Sequence, residues 1–260
     1  MIAGAKEPEL LRRDADGVAW LTLNRPRERN ALSVSLMTAL DAALVAISAD
    51  PSVLVVVIGG AGAGFCAGHD MRELRSNVDL PQLFSLCSQL MLRIVGLRQP
   101  VIAMVHGIAS AAGCQLVATC DLAVATETAR FSTPGVNIGL FCSTPMVALS
   151  RAVGRKAAME FLLTGDLIGA EQARAIGLIN RVTADAELEG VVAALAGQIA
   201  SKSPLALSIG KAAFYRQADM PLPEAYRFAA EVMVRNMRGD DAAEGIDAFL
   251  DKRDPVWTGR

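Results

Sequence analysis

Six consecutive residues, Val53 to Ile58, are β-branched or leucine with no polar interruption. A strand with one face in water alternates, whereas an unbroken run of this length marks a strand buried on both faces, in a parallel sheet covered by helices on each side. Two more buried runs, Val101 to Val105 and Leu122 to Ala125, follow, separated by helical segments. Strands alternating with helices predict an α/β chain with right-handed crossovers. The 260 residues suit one large domain, or one domain with an appendage. A composition of 52% hydrophobic and 20% charged residues lies far from the disordered regime.

Val18 to Leu23 reads as a strand ending at Asn24, Arg25 and Pro26, where proline lacks the ladder donor. Ser33 is placed to cap a helix to about Ala49, with Leu36, Met37, Leu40, Leu44 and Ile47 on one face. Gly59 to Gly68 reads as loop, and helices are predicted near Leu83 to Val95 and Ala111 to Thr119. After about Ala184 the strands stop. Glu187 to Ser201, Leu205 to Arg216, Glu224 to Asn236 and Ala242 to Lys252 read as helices divided by Pro204, Pro221, Pro223 and Gly239. The predicted organisation is an α/β core over 1–200 and a helical region over 201–260.

A net charge of −2 offers no field for a phosphate backbone or an anionic membrane, so neither nucleic acid nor membrane is expected as a partner. Gln99 to Cys120 and Phe131 to Ser150 lack Asp, Glu, Lys and Arg. They are broken by Pro100, Gly107 and Gly113 in the first case and by Pro134, Gly139 and Pro145 in the second, so they read as strand, turn and helix packed in protein. Five cysteines, an odd number in a chain too large to need staples, suit a reducing compartment, and a cytoplasmic location is expected. Met1 to Asp16 carries six charged residues before Asp16 and no apolar stretch, so no signal peptide is expected.

Gly62, Gly64 and Ala67 mimic a dinucleotide-binding fingerprint but do not begin at the strand end, and no acid closes a following strand at the required distance. Cys66 and His69 lack the further ligands of a tetrahedral metal site. Asp70 is expected to cap a helix from Met71, and Asp121 to close a helix-to-strand turn. Two similar devices remain, each a buried strand, a small-residue loop and a helix N-terminus: Phe65 to Met71, and His106 to Gln115. Small residues let a ligand approach the backbone, and helix N-termini leave amides unpaired, so the pair could hold one oxyanion. Tight packing of helix on sheet explains the same residues.

The chain resembles the crotonase superfamily, the enoyl-CoA hydratase and isomerase family, in LTLNRPRERNALS (Leu21 to Ser33), FCAGHDMREL (Phe65 to Leu74), HGIASAAGCQLVATCDLAVAT (His106 to Thr126), RAVGRKAAMEFLLTG (Arg151 to Gly165), EQARAIGLINRV (Glu171 to Val182) and EGIDAFLDKRDPVW (Glu244 to Trp257). The AAGCQLVA and PGVNIGLFCSTP segments resemble one subgroup of it. The resemblance implies an α/β crotonase fold, a superhelix of ββα turns with a helical C-terminal region, assembling as a trimer or dimer of trimers. It implies an acyl-CoA thioester as substrate and no separate cofactor. Carried over by motif, the amides of His69 and Ala112 hold the thioester oxygen as it becomes an enolate. The resemblance also places Arg27 and Glu28 along CoA, Met71 and Arg72 near its pantetheine and nucleotide ends, and Ala67, Asp70 and Gly113 in the substrate-contacting loops. Phe249 and Lys252 take positions that meet CoA from a neighbouring subunit.

The hydratases carry one glutamate after Gly-Cys and another after Phe-x-x-Pro, and here those positions are Gln115 and Gly135. A primary amide does not titrate near neutrality and glycine has no side chain, so neither is a general acid or base. The expectation is therefore an enoyl-CoA hydratase-like enzyme with its oxyanion hole present and its proton-transfer pair absent. The alternative is a non-catalytic acyl-CoA-binding or sequestering protein.

Overall fold

A computed structural model describes residues 7–76 and 79–260. The signal-peptide expectation falls partly on residues 1–6, outside the described residues. The main sheet contains β1 (Leu10–Ala15), β2 (Val18–Leu23), β3 (Val55–Gly60) and β4 (Val101–Val105). After β5 (Ile108–Ser110), which belongs to a second sheet, come β6 (Leu122–Thr126), β7 (Arg130–Ser132), β8 (Ile168–Gly169) and β9 (Arg181–Thr183). The large sheet has the order β1-β2-β3-β4-β6-β9, the small one β5-β7-β8. Pairing in the large sheet is parallel except between β1 and β2.

The helices are α1 (Val34–Ala49), α2 (Met71–Arg75), α3 (Leu80–Gly96), α4 (Ala112–Thr119), α5 (Ser143–Ala152), α6 (Arg155–Thr164), α7 (Ala170–Ala175) and α8 (Leu188–Ala200). β3 explains the layering. Val56 and Ile58 enter the core shared with α1, α3 and α4, while Val55 and Val57 pack with Leu188, Val192, Leu195 and Ala196 of α8. Each such side chain buried contributes about 1.5–3 kcal/mol, so both faces demand apolar residues. Ser33 caps α1 by accepting the Leu36 amide at 3.1 Å, and the buried face of α1 is the predicted set of five residues.

β3 begins at Val55 rather than Val53 and continues through Gly59 and Gly60, which pair with Thr22 and Leu23. A ladder needs backbone only, so two glycines read as loop are strand. The unpredicted β1 is an edge strand with charged, exposed residues, and an edge carries no apolar alternation. β5, β7 and β8 span two or three residues each, too short for periodicity to register.

α9 (Pro204–Gln217), α10 (Leu222–Met237) and α11 (Asp240–Asp251) complete the chain. Lys211 fastens α9 to the core: its Nζ donates to the carbonyls of Ile94 (2.9 Å) and Gln99 (3.0 Å) and to Asp121 (2.7 Å). Asp121 also accepts the Tyr215 hydroxyl at 2.8 Å and the Val101 amide at 2.7 Å. Rather than only closing the turn between α4 and β6, Asp121 joins three elements. Burial lowers the Lys211 pKa, and the Asp121 carboxylate opposes that shift. Among the described residues no single helix is long and apolar enough to cross a membrane.

Candidate functional site

The two small-residue loops lie side by side. Phe65 and Cys66 donate their amides to the carbonyls of His106 (2.9 Å) and Ile108 (3.0 Å), and Ser110 returns its amide to Cys66 at 2.9 Å. This short ladder sets the end of the first loop against the start of α4. A Cβ on Gly113 would overlap the Cys66 carbonyl oxygen, and one on Gly68 would stand 3.3 Å from the Ala112 nitrogen. Only glycine permits the approach at 113, as the sequence motif demanded of a close backbone contact.

The amides of His69 and Ala112 make no hydrogen bond among the described residues. Ala112 opens α4, where first-turn amides have no intrahelical acceptor. The residue before it, Ala111, has φ 48° and ψ −116°, an unusual conformation for a residue with a Cβ and one that costs about 1–3 kcal/mol. It is held by its amide on the Ser132 carbonyl (2.9 Å) and its carbonyl under the Gln115 amide (3.0 Å). The strain turns the chain from β5 into α4 and sets the direction of the Ala112 N–H.

The first loop is braced by residues that sequence reasoning did not single out. Asn30, fully buried with φ 55°, donates to the carbonyls of Ala61 (2.9 Å) and Gly64 (2.8 Å) and accepts the Arg25 amide (2.9 Å). Arg25 pairs with Asp70 at 2.9 Å and donates to the Ala31 carbonyl at 2.6 Å. Asp70 caps α2 through the Arg72 amide at 3.0 Å, as expected from sequence. Burial works against the Asp70 carboxylate, yet Arg25 and the Arg72 amide hold its pKa below the ordinary range. The signal for Asn30 and Arg25 lies in the Asn24-Arg25-Pro26 turn and the segment after it, where only Arg27 and Glu28 were marked.

Arg27 and Glu28 sit exposed on the 3-10 turn Pro26–Glu28, next to Arg29, whose carbonyl accepts the Ala67 amide at 3.0 Å. Met71 and Arg72 are exposed at the start of α2. The structure thus gathers Arg27, Glu28, Ala67, His69, Asp70, Met71, Arg72, Ala112 and Gly113 into one neighbourhood. Phe249 and Lys252 stand apart. Phe249 lines a cavity of ≈ 450 Å³ with Met237, Ile246 and Trp257, and Lys252 ends α11 in the left-handed conformation.

Gln115 lies one turn beyond Ala112, 4% exposed, and its Oε1 has no hydrogen-bond partner among the described residues. The ring of His69 meets Phe84 of α3 edge-on, centroids 5.5 Å apart, and both ring nitrogens are buried with no full hydrogen bond among the described residues, the Leu32 carbonyl being the polar group near them. Burial lowers the His69 pKa, which favours the neutral imidazole. The neighbouring thiols are poor acids. Burial pushes Cys66 up to about 12 and Cys87 to about 11, and also raises Cys114 and Cys142. All five cysteines are buried and free.

Gly135 is not an empty version of a glutamate position. A Cβ there would meet the Leu140 carbonyl oxygen at 2.6 Å and Cys142 Sγ at 2.9 Å. The turn closes through the Leu140 amide on the Gly135 carbonyl at 2.9 Å, so Leu140 to Cys142 occupy the space that a side chain would need. Thr133 is spent on the Phe161 carbonyl at 2.9 Å.

The enoyl-CoA hydratase/isomerase model matches residues 13–260. A human relative, "Enoyl-CoA hydratase domain-containing protein 3, mitochondrial", is 44% identical over 98% of this chain and 86% of its own length. The crystal structure of human enoyl Coenzyme A hydratase domain-containing protein 3 superposes with a TM-score of 0.92 at 43% identity, covering 96% of this chain and 100% of that one. An enoyl-CoA hydratase from Mycobacterium smegmatis gives 0.94 at 50% identity, covering 96% and 99%. These structures bear out the crotonase fold. The human, rat and mouse relatives are named as mitochondrial proteins, which overturns the cytoplasmic expectation. Buried free thiols are compatible with a reducing environment but do not single out the cytosol. With its fold, its paired loops and a match from residue 13 to the C-terminus, this chain belongs to the enoyl-CoA hydratase/isomerase family.

Proposed function

We propose that the chain binds an acyl-CoA thioester with its carbonyl oxygen between the amides of His69 and Ala112, and that it lacks the means for ordinary hydration. The observation that carries this reading is the contrast between two unpaired amides on abutting loops and a Gly135 whose side-chain space is filled. Each such amide, aimed where negative charge develops, contributes roughly 10²–10³-fold to a rate. Both survive any side-chain change that leaves the backbone in place. Gln115 can orient a polar group but cannot carry a proton. By the resemblance, Arg27 and Glu28 run along the CoA, Met71 and Arg72 lie near its pantetheine and nucleotide ends, and Ala67 and Gly113 belong to the substrate-contacting loops. Asp70 acts indirectly, by holding the loop. No separate cofactor enters this chemistry.

The reading includes a homotrimer or a dimer of trimers built on 201–260, with 1–200 as the core. The chain exposes 14117 Å², whereas a compact monomer of its mass exposes about 11,000 Å². Large apolar side chains contribute to this surface: Phe214, Tyr226, Met233, Phe249 and Leu250 are each at least 60% exposed. Phe249 and Lys252 would then serve a neighbouring chain's ligand.

Calorimetry with butyryl-CoA tests the site. His69→Ala keeps its amide and retains binding, while Ala112→Val, at a position 1% exposed, obstructs it. Equal affinity of Ala112→Val and wild type would refute the placement.

A further inference from the structure

Two side chains beside the unpaired amides bury polar atoms that make no full hydrogen bond among the described residues: both ring nitrogens of His69, which have only the Leu32 carbonyl near them, and Oε1 of Gln115. A buried polar atom without a partner costs about 1–3 kcal/mol, and native structures hold few of them, each calling for a reason such as a ligand or a catalytic role. Gln115 follows Ala112 by three residues and shares its helix face. His69 bears one of the two amides, so whatever that amide holds lies within one side chain's length of the ring. Both groups border the two loops that carry the unpaired amides.

Among the other titratable groups of this neighbourhood, Glu28 stands exposed on the 3-10 turn Pro26–Glu28, and the buried and half-buried ones are committed. Asp70 is paired with Arg25 and capping α2, and Glu73 accepts the Val34 amide at 2.9 Å. His106 shares a hydrogen bond with the Gly62 carbonyl at 2.9 Å. Cys66 and Cys114 are fully buried, with thiols that burial keeps protonated. Phe84, against which the His69 ring packs, does not titrate.

Resting on the acyl-CoA reading above, we propose that the imidazole of His69 is the proton-transfer group of this site, acting on the α-carbon of a bound acyl thioester. The α C–H bond breaks, and its electron pair becomes the C=C bond of the enolate. The carbonyl π pair moves to oxygen, between the His69 and Ala112 amides, and the proton passes to a ring nitrogen. Return of a proton from the imidazolium to the α-carbon reverses the step, and in heavy water that proton is a deuteron. One residue thus supplies an oxyanion donor from its backbone and a base from its side chain. Water activation is not part of the step.

The test is exchange of the α-hydrogens of butyryl-CoA in D₂O, followed by proton NMR, beside the affinity measured by calorimetry. Wild type exchanges the α position. His69→Ala and the better space-filling His69→Gln lose roughly 10²–10⁴-fold in exchange while binding butyryl-CoA within a few-fold of wild type, and added imidazole restores exchange to the Ala variant only. Exchange undiminished in both variants, or wild-type binding with no exchange, would overturn the proposal and leave the binding site standing. A loss of exchange matched by an equal loss of affinity, with no rescue, would make the ring part of the pocket wall and overturn it too. Failure of wild type to bind butyryl-CoA would remove the underlying site reading, a result distinct from all of these.

Discussion

At Gly113 the missing side chain lets α4 come up against the Cys66 carbonyl, while at Gly135 it lets Leu140 to Cys142 fold over the place where a glutamate would stand. Both are glycines for want of space, yet the consequences are opposite. The first opens a backbone contact between α4 and the Phe65 to Met71 loop; the second leaves no side-chain space at the position that resembles a hydratase glutamate. On the acyl-CoA reading proposed above, the difference teaches that the site has not simply lost two carboxylates: its oxyanion-holding half would rest on main-chain packing, which side-chain replacement cannot easily erase, while Leu140 to Cys142 fill the other corner.

The largest effect should come at the packed corner. Gly113→Val forces a side chain into a backbone carbonyl, and we expect a loss of about 3 kcal/mol, the upper end for overpacking, together with loss of acyl-CoA binding. A thermal melt lowered by about 6–12 °C checks it, and an unchanged melting temperature would break the contrast. At the closed corner, Gln115→Glu with Gly135→Glu restores the residue types of a hydratase without restoring the space. The double variant should lose about 1–3 kcal/mol and gain no enoyl-CoA hydration, and a gain in turnover would show the corner to be open after all.

Two finer changes sharpen the account of how the first loop is held. Asn30→Ala leaves the carbonyls of Ala61 and Gly64 and the Arg25 amide without their partner, an expected cost of about 2 kcal/mol in denaturant unfolding. Asp70→Asn keeps a good N-cap and removes the ion pair with Arg25, for a loss of about 1 kcal/mol at neutral pH. The folded-state pKa of Asp70 lies below 3.8, so its contribution is present above that value and lost as pH falls through the folded pKa. The two proteins should therefore differ in stability at pH 7 and converge in acid. A constant difference down to the acid transition would assign the effect to something other than this carboxylate.

The buried strands and the α1 face were legible because apolar identity is what two-sided burial requires: Val55 to Ile58 cannot be polar. The capping roles of Ser33 and Asp70 were legible for a similar reason, since each sits where an oxygen must meet an amide. Gly59 and Gly60 were misread because a strand can run through residues with nothing to pack. The brace formed by Asn30 and Arg25 was hidden because its partners are carbonyls and a carboxylate some 30 to 45 positions away, a distance that local pattern does not cross. Ala111 was hidden for another reason: alanine gives no sign of positive φ, which glycine would have advertised. The Gly135 position was marked from the motif alone, and only the fold of Leu140 to Cys142 shows why it is glycine.

Hydration of a short trans-2-enoyl-CoA, followed as loss of the conjugated thioester absorbance, bears most directly on the central claim, that this chain holds an acyl thioester without the proton-transfer pair of a hydratase. A positioned acid or base typically supplies roughly 10²–10⁴-fold, and Gln115 and Gly135, at the positions that resemble the hydratase glutamates, supply neither. The account predicts saturable binding of the enoyl-CoA with hydration orders of magnitude below that of a glutamate-bearing hydratase assayed alongside. Rapid, saturable hydration by the wild-type protein would contradict it.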